Sequence, residues 1–104
     1  MLGRADLAAT TDTSIYQVPT NNRAVAGVQL SNRNSTSVTV RLAIVDGLVA
    51  ALANEDYLIY DYELAANSFV QFSGLVLDSD DNVVAQASAT GVAVNVWGEI
   101  RSTI

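Results

Sequence analysis

The sequence contains no cysteine, no histidine and no lysine. Without cysteine it can form neither disulfides nor thiolate metal sites, and thiol catalysis is excluded. Without histidine and lysine it lacks imidazole bases, imidazole metal ligands and Schiff-base amines. Serine and threonine are numerous, but only a carboxylate remains to activate a hydroxyl as nucleophile. We therefore predict that the protein is not an enzyme.

Basic residues are scarce, because five arginines stand against eleven aspartates and glutamates and the net charge at pH 7 is −6. Such a charge repels phosphate backbones, and no cluster of arginines offsets it locally. The composition therefore predicts a protein that does not bind nucleic acid directly.

Long apolar runs are missing as well. The longest, residues 42–53, is interrupted by Asp46 and Gly47 and is far shorter than the roughly 20 residues of a membrane-spanning helix. The N-terminus lacks the apolar core and the small-residue cleavage site of a secretion signal. We expect a chain that is made in the cytoplasm, is not exported by that route and does not enter a membrane.

What the chain does contain is a series of alternating segments separated by turns. Val38, Val40, Leu42 and Ile44 recur at every second position, which is typical of a strand with one buried face. Clusters of turn-forming residues recur at steps of about ten, at positions 20–22, 32–35, 66–68, 80–82 and 90–91. This spacing predicts an all-β fold.

The predicted architecture is a single antiparallel β-sandwich domain over residues 1–104, jelly-roll-like or immunoglobulin-like, with about seven to eight strands. Residues 1–6 are interpreted as an N-terminal arm. One short apolar connection, helical or irregular, is expected between two of the strands. Half of the residues are hydrophobic, so burial should stabilise the fold without a cofactor or a metal.

Two further strands carry specific expectations about the core. In residues 57–64, the phase that holds Leu58, Tyr60, Tyr62 and Leu64 is expected to face the core. In residues 68–77, the expected core phase is Val70, Phe72 and Val76, and Gly74 suggests a bulge or a bend.

Two features suggest a surface for contact with another protein. Residues 47–56 are rich in alanine and leucine, which favours a short helical turn, whereas connections are normally polar. This connection either plugs one end of the sandwich or touches another subunit.

The single tryptophan falls on the polar phase of the last strand, where it either anchors an interface or packs beneath a loop or second sheet. The predicted interface residues are Trp97, Leu48, Val49, Leu52 and Tyr57.

Two carboxylate patterns have simpler explanations than chemistry. Residues 78–82 space oxygen side chains as calcium loops do, but Val83 and Ala89 stand where such a loop needs glycine and glutamate. A solvated hairpin turn is the better interpretation.

Asp61 and Glu63 share one face of a strand, as a glycosidase pair would, but exposed strands commonly carry such charges. We predict no catalytic, cofactor-binding or metal-binding residue.

The sequences of several segments resemble those of a known class of proteins. Residues 7–19 read Leu-Ala-Ala-Thr-Thr-Asp-Thr-Ser-Ile-Tyr-Gln-Val-Pro. Further segments that carry the resemblance are residues 30–34, 38–44, 56–64, 74–77 and 91–98. Together these sequence segments resemble those of small β-sandwich virion proteins of tailed bacteriophages, in particular capsid decoration (cement) proteins. The chain departs from that pattern at residues 47–53, where the family has a polar connection of Gly, Thr and Asp.

The resemblance implies a virion structural protein on the capsid surface, made in the host cytoplasm, present in many copies and bridging capsid subunits. The partners it implies are the major capsid protein and further copies of the chain, as a trimer. One open alternative is a tail, neck or fibre component that contacts the host surface. Another is a carbohydrate-binding β-sandwich module, for which Tyr57 and Trp97 are the only outward-phased aromatic candidates.

Overall fold

A computed structural model describes residues 1–103 as eight antiparallel strands in two four-stranded sheets, which confirms the predicted all-β sandwich. The strands are β1 (Gly3–Asp6), β2 (Thr13–Gln17), β3 (Asn22–Asn32), β4 (Val38–Asp46), β5 (Tyr57–Leu64), β6 (Phe69–Leu77), β7 (Asp81–Ala87) and β8 (Val92–Ser102). Two short 3₁₀ turns, Val49–Ala51 and Asn54–Asp56, lie between β4 and β5. Within residues 1–103, no helix has the length and apolarity that a membrane crossing needs.

The strand order is that of a jelly roll. Sheet A has the order β1-β8-β3-β6, and sheet B has the order β2-β7-β4-β5. The first strand therefore pairs with the eighth, the second with the seventh, the third with the sixth and the fourth with the fifth. This nesting is what results when one long hairpin rolls up into two sheets. Of the two predicted sandwich types, the structure has the jelly-roll arrangement.

Part of the segment interpreted as an N-terminal arm is an edge strand of sheet A. Gly3 to Asp6 form β1 and pair with β8, from Gly3 opposite Val96 to Asp6 opposite Ala93. Ala5 packs against the core between the sheets. The sequence offered little to identify this strand, because four residues are too few to show alternation.

The core between the sheets consists mainly of valine. Its fully buried members include Val18, Val28, Leu30, Val40, Leu42, Val83, Val92, Val94 and Val96. Val38, Val40 and Leu42 face it as predicted, and Ile44 packs against its margin.

The apolar connection covers part of the outer face of sheet B. Ala43, Val45 and Val84 are buried, although they alternate with core residues and so point away from sheet A. Both 3₁₀ turns contact β4, and Val49 and Leu52 within the connection are half-buried. The connection therefore lies over the sheet and does not plug an end of the sandwich.

The core prediction for β5 is wrong at three of its four positions. The exposed fractions are 44% for Leu58, 57% for Tyr60 and 46% for Tyr62. Only Leu64 is buried, and Ile59 from the opposite phase packs against the core instead. The reason is that β5 is an edge strand whose pairing with β4 shifts register on both sides of Leu42, so the two-residue period is broken.

A similar phase change corrects the prediction for β6. Val76 is 67% exposed, whereas Leu75 and Leu77 face the core. Gly74 has a φ of +70°, and the pairing with β3 shifts register between the partners of Leu75 and Phe72. A bulge at the glycine thus turns Val76 outward.

Candidate functional site

The two sides of the sandwich carry very different charge. Sheet A and its adjoining turns hold four arginines against three acids, a net charge of +1; these residues are Arg4, Arg23, Arg33, Arg101, Asp6, Asp78 and Glu99. Sheet B and its turns hold one arginine against eight acids, a net charge of −7; these residues are Arg41, Asp12, Asp46, Glu55, Asp56, Asp61, Glu63, Asp80 and Asp81. A charged partner therefore meets two distinct electrostatic surfaces.

The outer face of sheet A has an apolar centre. Trp97 in β8 lies opposite Gly27 in β3, and a Cβ atom added to Gly27 would lie 2.5 Å from the indole ring. The ring therefore rests directly on the glycine backbone, half-buried against its own sheet and not beneath a loop. Val25 and Val76 pair across β3 and β6 and are 52% and 67% exposed.

Phe69, 61% exposed, extends this surface along β6. We call the surface formed by Val25, Phe69, Val76 and Trp97 the sheet A face. Ion pairs neutralise three of the four arginines of this sheet: Arg23 with Asp78 (3.4 Å), Arg33 with Asp6 (2.7 Å) and Arg101 with Glu99 (3.0 Å). Each pair is well exposed and contributes little to stability. Their effect is to leave the face close to neutral around an apolar centre.

Sheet B carries a second cluster, centred on aromatic rings. The rings of Tyr57 and Tyr60 lie 4.8 Å apart at an angle of 87°. The guanidinium carbon of Arg41 lies 4.0 Å from the centre of the Tyr60 ring. We call Arg41, Tyr57, Tyr60 and Asp61 the tyrosine cluster. A surface depression of about 350 Å³ adjoins it and is lined by Asn54, Tyr57 and Tyr60.

A bidentate ion pair organises the tyrosine cluster. Arg41 donates from Nε to Asp61 Oδ1 (2.6 Å) and from a terminal nitrogen to Asp61 Oδ2 (3.2 Å). The hydrogen bond from Arg41 lowers the pKa of Asp61, and the same bond raises the pKa of Arg41. Asp61 sits at the β5 bulge with a φ of +51°, a left-handed conformation that side chains rarely adopt. Asp61 is thus a partner of Arg41 and not one half of a carboxylate pair with Glu63.

The segment that resembled a calcium loop is the tight turn between β6 and β7. Asp81 accepts a hydrogen bond from the backbone N–H of Asp78 at 2.8 Å, and the strand pairing places Asp81 opposite Asp46. Burial raises the pKa of Asp81, and the neighbouring carboxylates add to that rise. Within residues 1–103, no group of three acidic side chains is arranged to hold a metal ion.

Asp81→Asn is expected to raise the free energy of unfolding at pH 7 by about 0.5 kcal/mol, because it removes a like charge opposite Asp46. The amide oxygen can still accept the hydrogen bond from Asp78. Since folding raises the pKa of Asp81, wild-type stability falls as the pH rises from the unfolded pKa to the folded one. The gain should therefore be present at pH 7 and absent at pH 3. Urea unfolding at both pH values measures it.

The matched control is Glu55→Gln, which removes an exposed acid from the same side of the molecule. It changes the net charge equally without touching the Asp81 contacts. Equal effects of the two variants would mean that overall charge, and not the pairing of Asp81 with Asp46, accounts for the change.

The structure does not bring the five predicted interface residues together. Trp97 lies on the outer face of sheet A, whereas Tyr57 and the three connection residues lie on the side of sheet B. Leu48 is 71% exposed. The two groups belong to separate surfaces.

Sequence reasoning missed several exposed apolar or aromatic residues, among them Val25, Leu58, Tyr60, Tyr62, Phe69 and Val76. Bulges explain the exposure of Tyr60 and Val76, whereas Tyr62 pairs with the core residue Val40 and is exposed because β5 is an edge strand. The one available signal was Val25, which stands out of phase among the buried alanines of β3.

Comparison of the chain with protein-family models, with curated proteins and with solved structures found no match.

Proposed function

We propose that this chain is a virion structural protein of a tailed bacteriophage, and specifically a capsid decoration protein that binds the outer shell and bridges capsid subunits. The observation that carries the proposal is the sheet A face, where an aromatic anchor fixed on a glycine shares one side of the sheet with the exposed apolar residues Val25, Phe69 and Val76. Jelly rolls build viral capsid domains as well as lectins.

The physical properties of the sheet A face suit docking onto another protein. Interfaces are enriched in aromatic residues and depleted of lysine at their centres, and a tryptophan is a frequent source of binding energy. Contact of the Trp97 ring with Gly27 restricts its rotation before any partner arrives, which lowers the entropic cost of binding. The partner that fits is a nearly neutral protein surface with an apolar patch, which on this proposal belongs to the major capsid protein.

The opposite side of the molecule supports the same orientation. Its net charge of −7 favours hydration and repels similar molecules. A copy docked through sheet A would present this acidic side to solvent. Association of the chain into trimers belongs to the same proposal and is tested by light scattering on the purified protein.

The location in the virion is tested by counting copies. Quantitative mass spectrometry of purified particles is expected to find several hundred copies, since a shell offers that many equivalent sites. A few dozen copies or fewer would assign the protein to the tail, neck or a fibre. Its absence from mature particles would overturn the proposal.

Trp97→Ala is expected to weaken binding to particles that lack the protein by at least about tenfold, because truncation of an interface tryptophan commonly costs 2 kcal/mol or more. A co-sedimentation titration measures the change, and circular dichroism checks the fold. The matched control is Leu48→Ala, which truncates an exposed apolar residue on the other side and should bind like wild type. Loss of binding in the control alone would transfer the docking surface to sheet B.

A further inference from the structure

We propose that the depression beside the tyrosine cluster is a binding site for a neutral saccharide. This function goes beyond shell docking and does not depend on it, because the site lies on sheet B and the sheet A face is on the other side of the sandwich.

The site has the shape of a shallow pocket between two aromatic rings. Tyr57 and Tyr60 stand at right angles to each other, so their rings form two walls of a corner, and Asn54 also lines the depression. A volume of about 350 Å³ lies at the low end of the range for small-molecule sites, about 300–1,000 Å³. Phenol rings with a few polar groups nearby suit an amphipathic ligand, and a sugar ring offers apolar C–H faces edged by hydroxyls.

The site is ordered before any ligand binds. Asp61 holds the Arg41 guanidinium through two hydrogen bonds, and Arg41 lies against the ring of Tyr60. Tyr60 nevertheless remains 57% exposed. A large exposed ring fixed in this way loses little freedom on binding.

The charges around the site favour a ligand that is itself uncharged. The side of sheet B has a net charge of −7, which repels anionic ligands such as sialylated or phosphorylated sugars. A cationic ligand on the free face of the Tyr60 ring would be repelled by the guanidinium of Arg41, which lies over the other face. A neutral saccharide avoids both repulsions.

The experiment uses the intact purified protein on an array of neutral and acidic glycans, followed by calorimetric titration with the best neutral oligosaccharide. Tyr60→Ala is expected to weaken the affinity about tenfold, because the ring on which the sugar would stack is removed. Tyr60→Phe keeps the ring and should bind within about threefold of wild type.

The matched control is Tyr62→Ala on the same strand. Tyr62 is 46% exposed but pairs with Val40, whose side chain faces the core, and it does not line the depression. This variant should bind the oligosaccharide like wild type. The proposal is overturned if no neutral glycan binds, if only charged glycans bind, or if Tyr60→Ala binds as well as wild type.

The outcome is separable from that of the decoration proposal. Trp97→Ala should bind the oligosaccharide normally, and Tyr60→Ala should bind particles normally. Failure of glycan binding in every variant overturns the saccharide site alone, whereas absence of the protein from virions overturns the decoration proposal alone.

Discussion

Asn32→Asp is expected to lower the free energy of unfolding at pH 7 by about 3–5 kcal/mol, the cost of an uncompensated buried charge. Asn32 is only 2% exposed and ends β3. Its amide nitrogen donates to the carbonyl oxygens of Thr36 (3.0 Å), Leu64 (3.1 Å) and Ala65 (3.2 Å). Its amide oxygen accepts from the backbone N–H of Asn34 at 2.9 Å. The substitution places a carboxylate oxygen against three carbonyl oxygens.

The loss caused by Asn32→Asp should depend on pH. Burial and the facing carbonyls raise the pKa of the introduced carboxyl in the folded protein. A raised folded pKa means that the folded state retains the proton more strongly, so the destabilisation grows as the pH rises above the unfolded pKa. Urea unfolding at pH 3 and pH 7 should therefore show the smaller loss at pH 3.

Asn34→Asp provides the matched control in the same turn. The amide nitrogen of Asn34 donates to one carbonyl, that of Thr90 at 2.8 Å, and the side chain is half-buried. We expect a loss of about 1 kcal/mol from one exchanged hydrogen bond. A pH-independent loss for Asn32→Asp, or one equal to that of the control, would show that the amide of Asn32 is not buried against the carbonyls of Thr36, Leu64 and Ala65.

Gly98→Ala is the second substitution with a large expected effect, a loss of about 2–4 kcal/mol. Gly98 in β8 lies opposite Ala26 in β3 and has a φ of +146°. A Cβ atom added there would overlap the carbonyl oxygen of Val25 and approach the Cα atom of Ala26 to 2.8 Å. Both obstacles are backbone atoms, so the strands themselves must separate. Because β3 and β8 pair along their whole length, that separation disturbs the centre of sheet A.

The control for Gly98→Ala is Gly74→Ala. Gly74 also has a positive φ, +70°, but no atom lies within 4 Å of the position that a Cβ would take. This variant should cost only the left-handed penalty of about 1–2 kcal/mol. Urea unfolding followed by circular dichroism measures both. Equal losses would mean that β3 and β8 do not approach as closely as the structure shows.

Much of the fold could be predicted from the sequence because its strands are regular where they are central. In β4 and the first half of β8, alternate branched apolar residues face the core, so the period of two identifies the core-facing phase. The evenly spaced turns gave the approximate number of strands. The choice between a jelly roll and an immunoglobulin sandwich depends on which strands pair across long sequence separations, and local patterns do not contain that information.

The candidate surfaces could be predicted only in part. Trp97 was correctly placed on the outward phase because β8 is regular around it. Tyr60 and Val76 were assigned to the wrong face because a bulge changes which side chains of a strand face the core, and one lies at Asp61 beside Tyr60 and another at Gly74 before Val76. The signal for a bulge, Gly74, was visible, but the non-glycine bulge at Asp61 had none.

The sequence by itself determined that the protein carries no thiol, imidazole or lysine amine, because it contains no cysteine, histidine or lysine. It also determined the all-β class, because alternation is a local property. Only the tertiary structure decided where the charges lie. The acids are dispersed along the chain, but the rolled hairpin alternates segments between the two sheets and collects eight of the eleven on one side. That sorting depends on long-range strand pairing, and it distinguishes the neutral face from the acidic one.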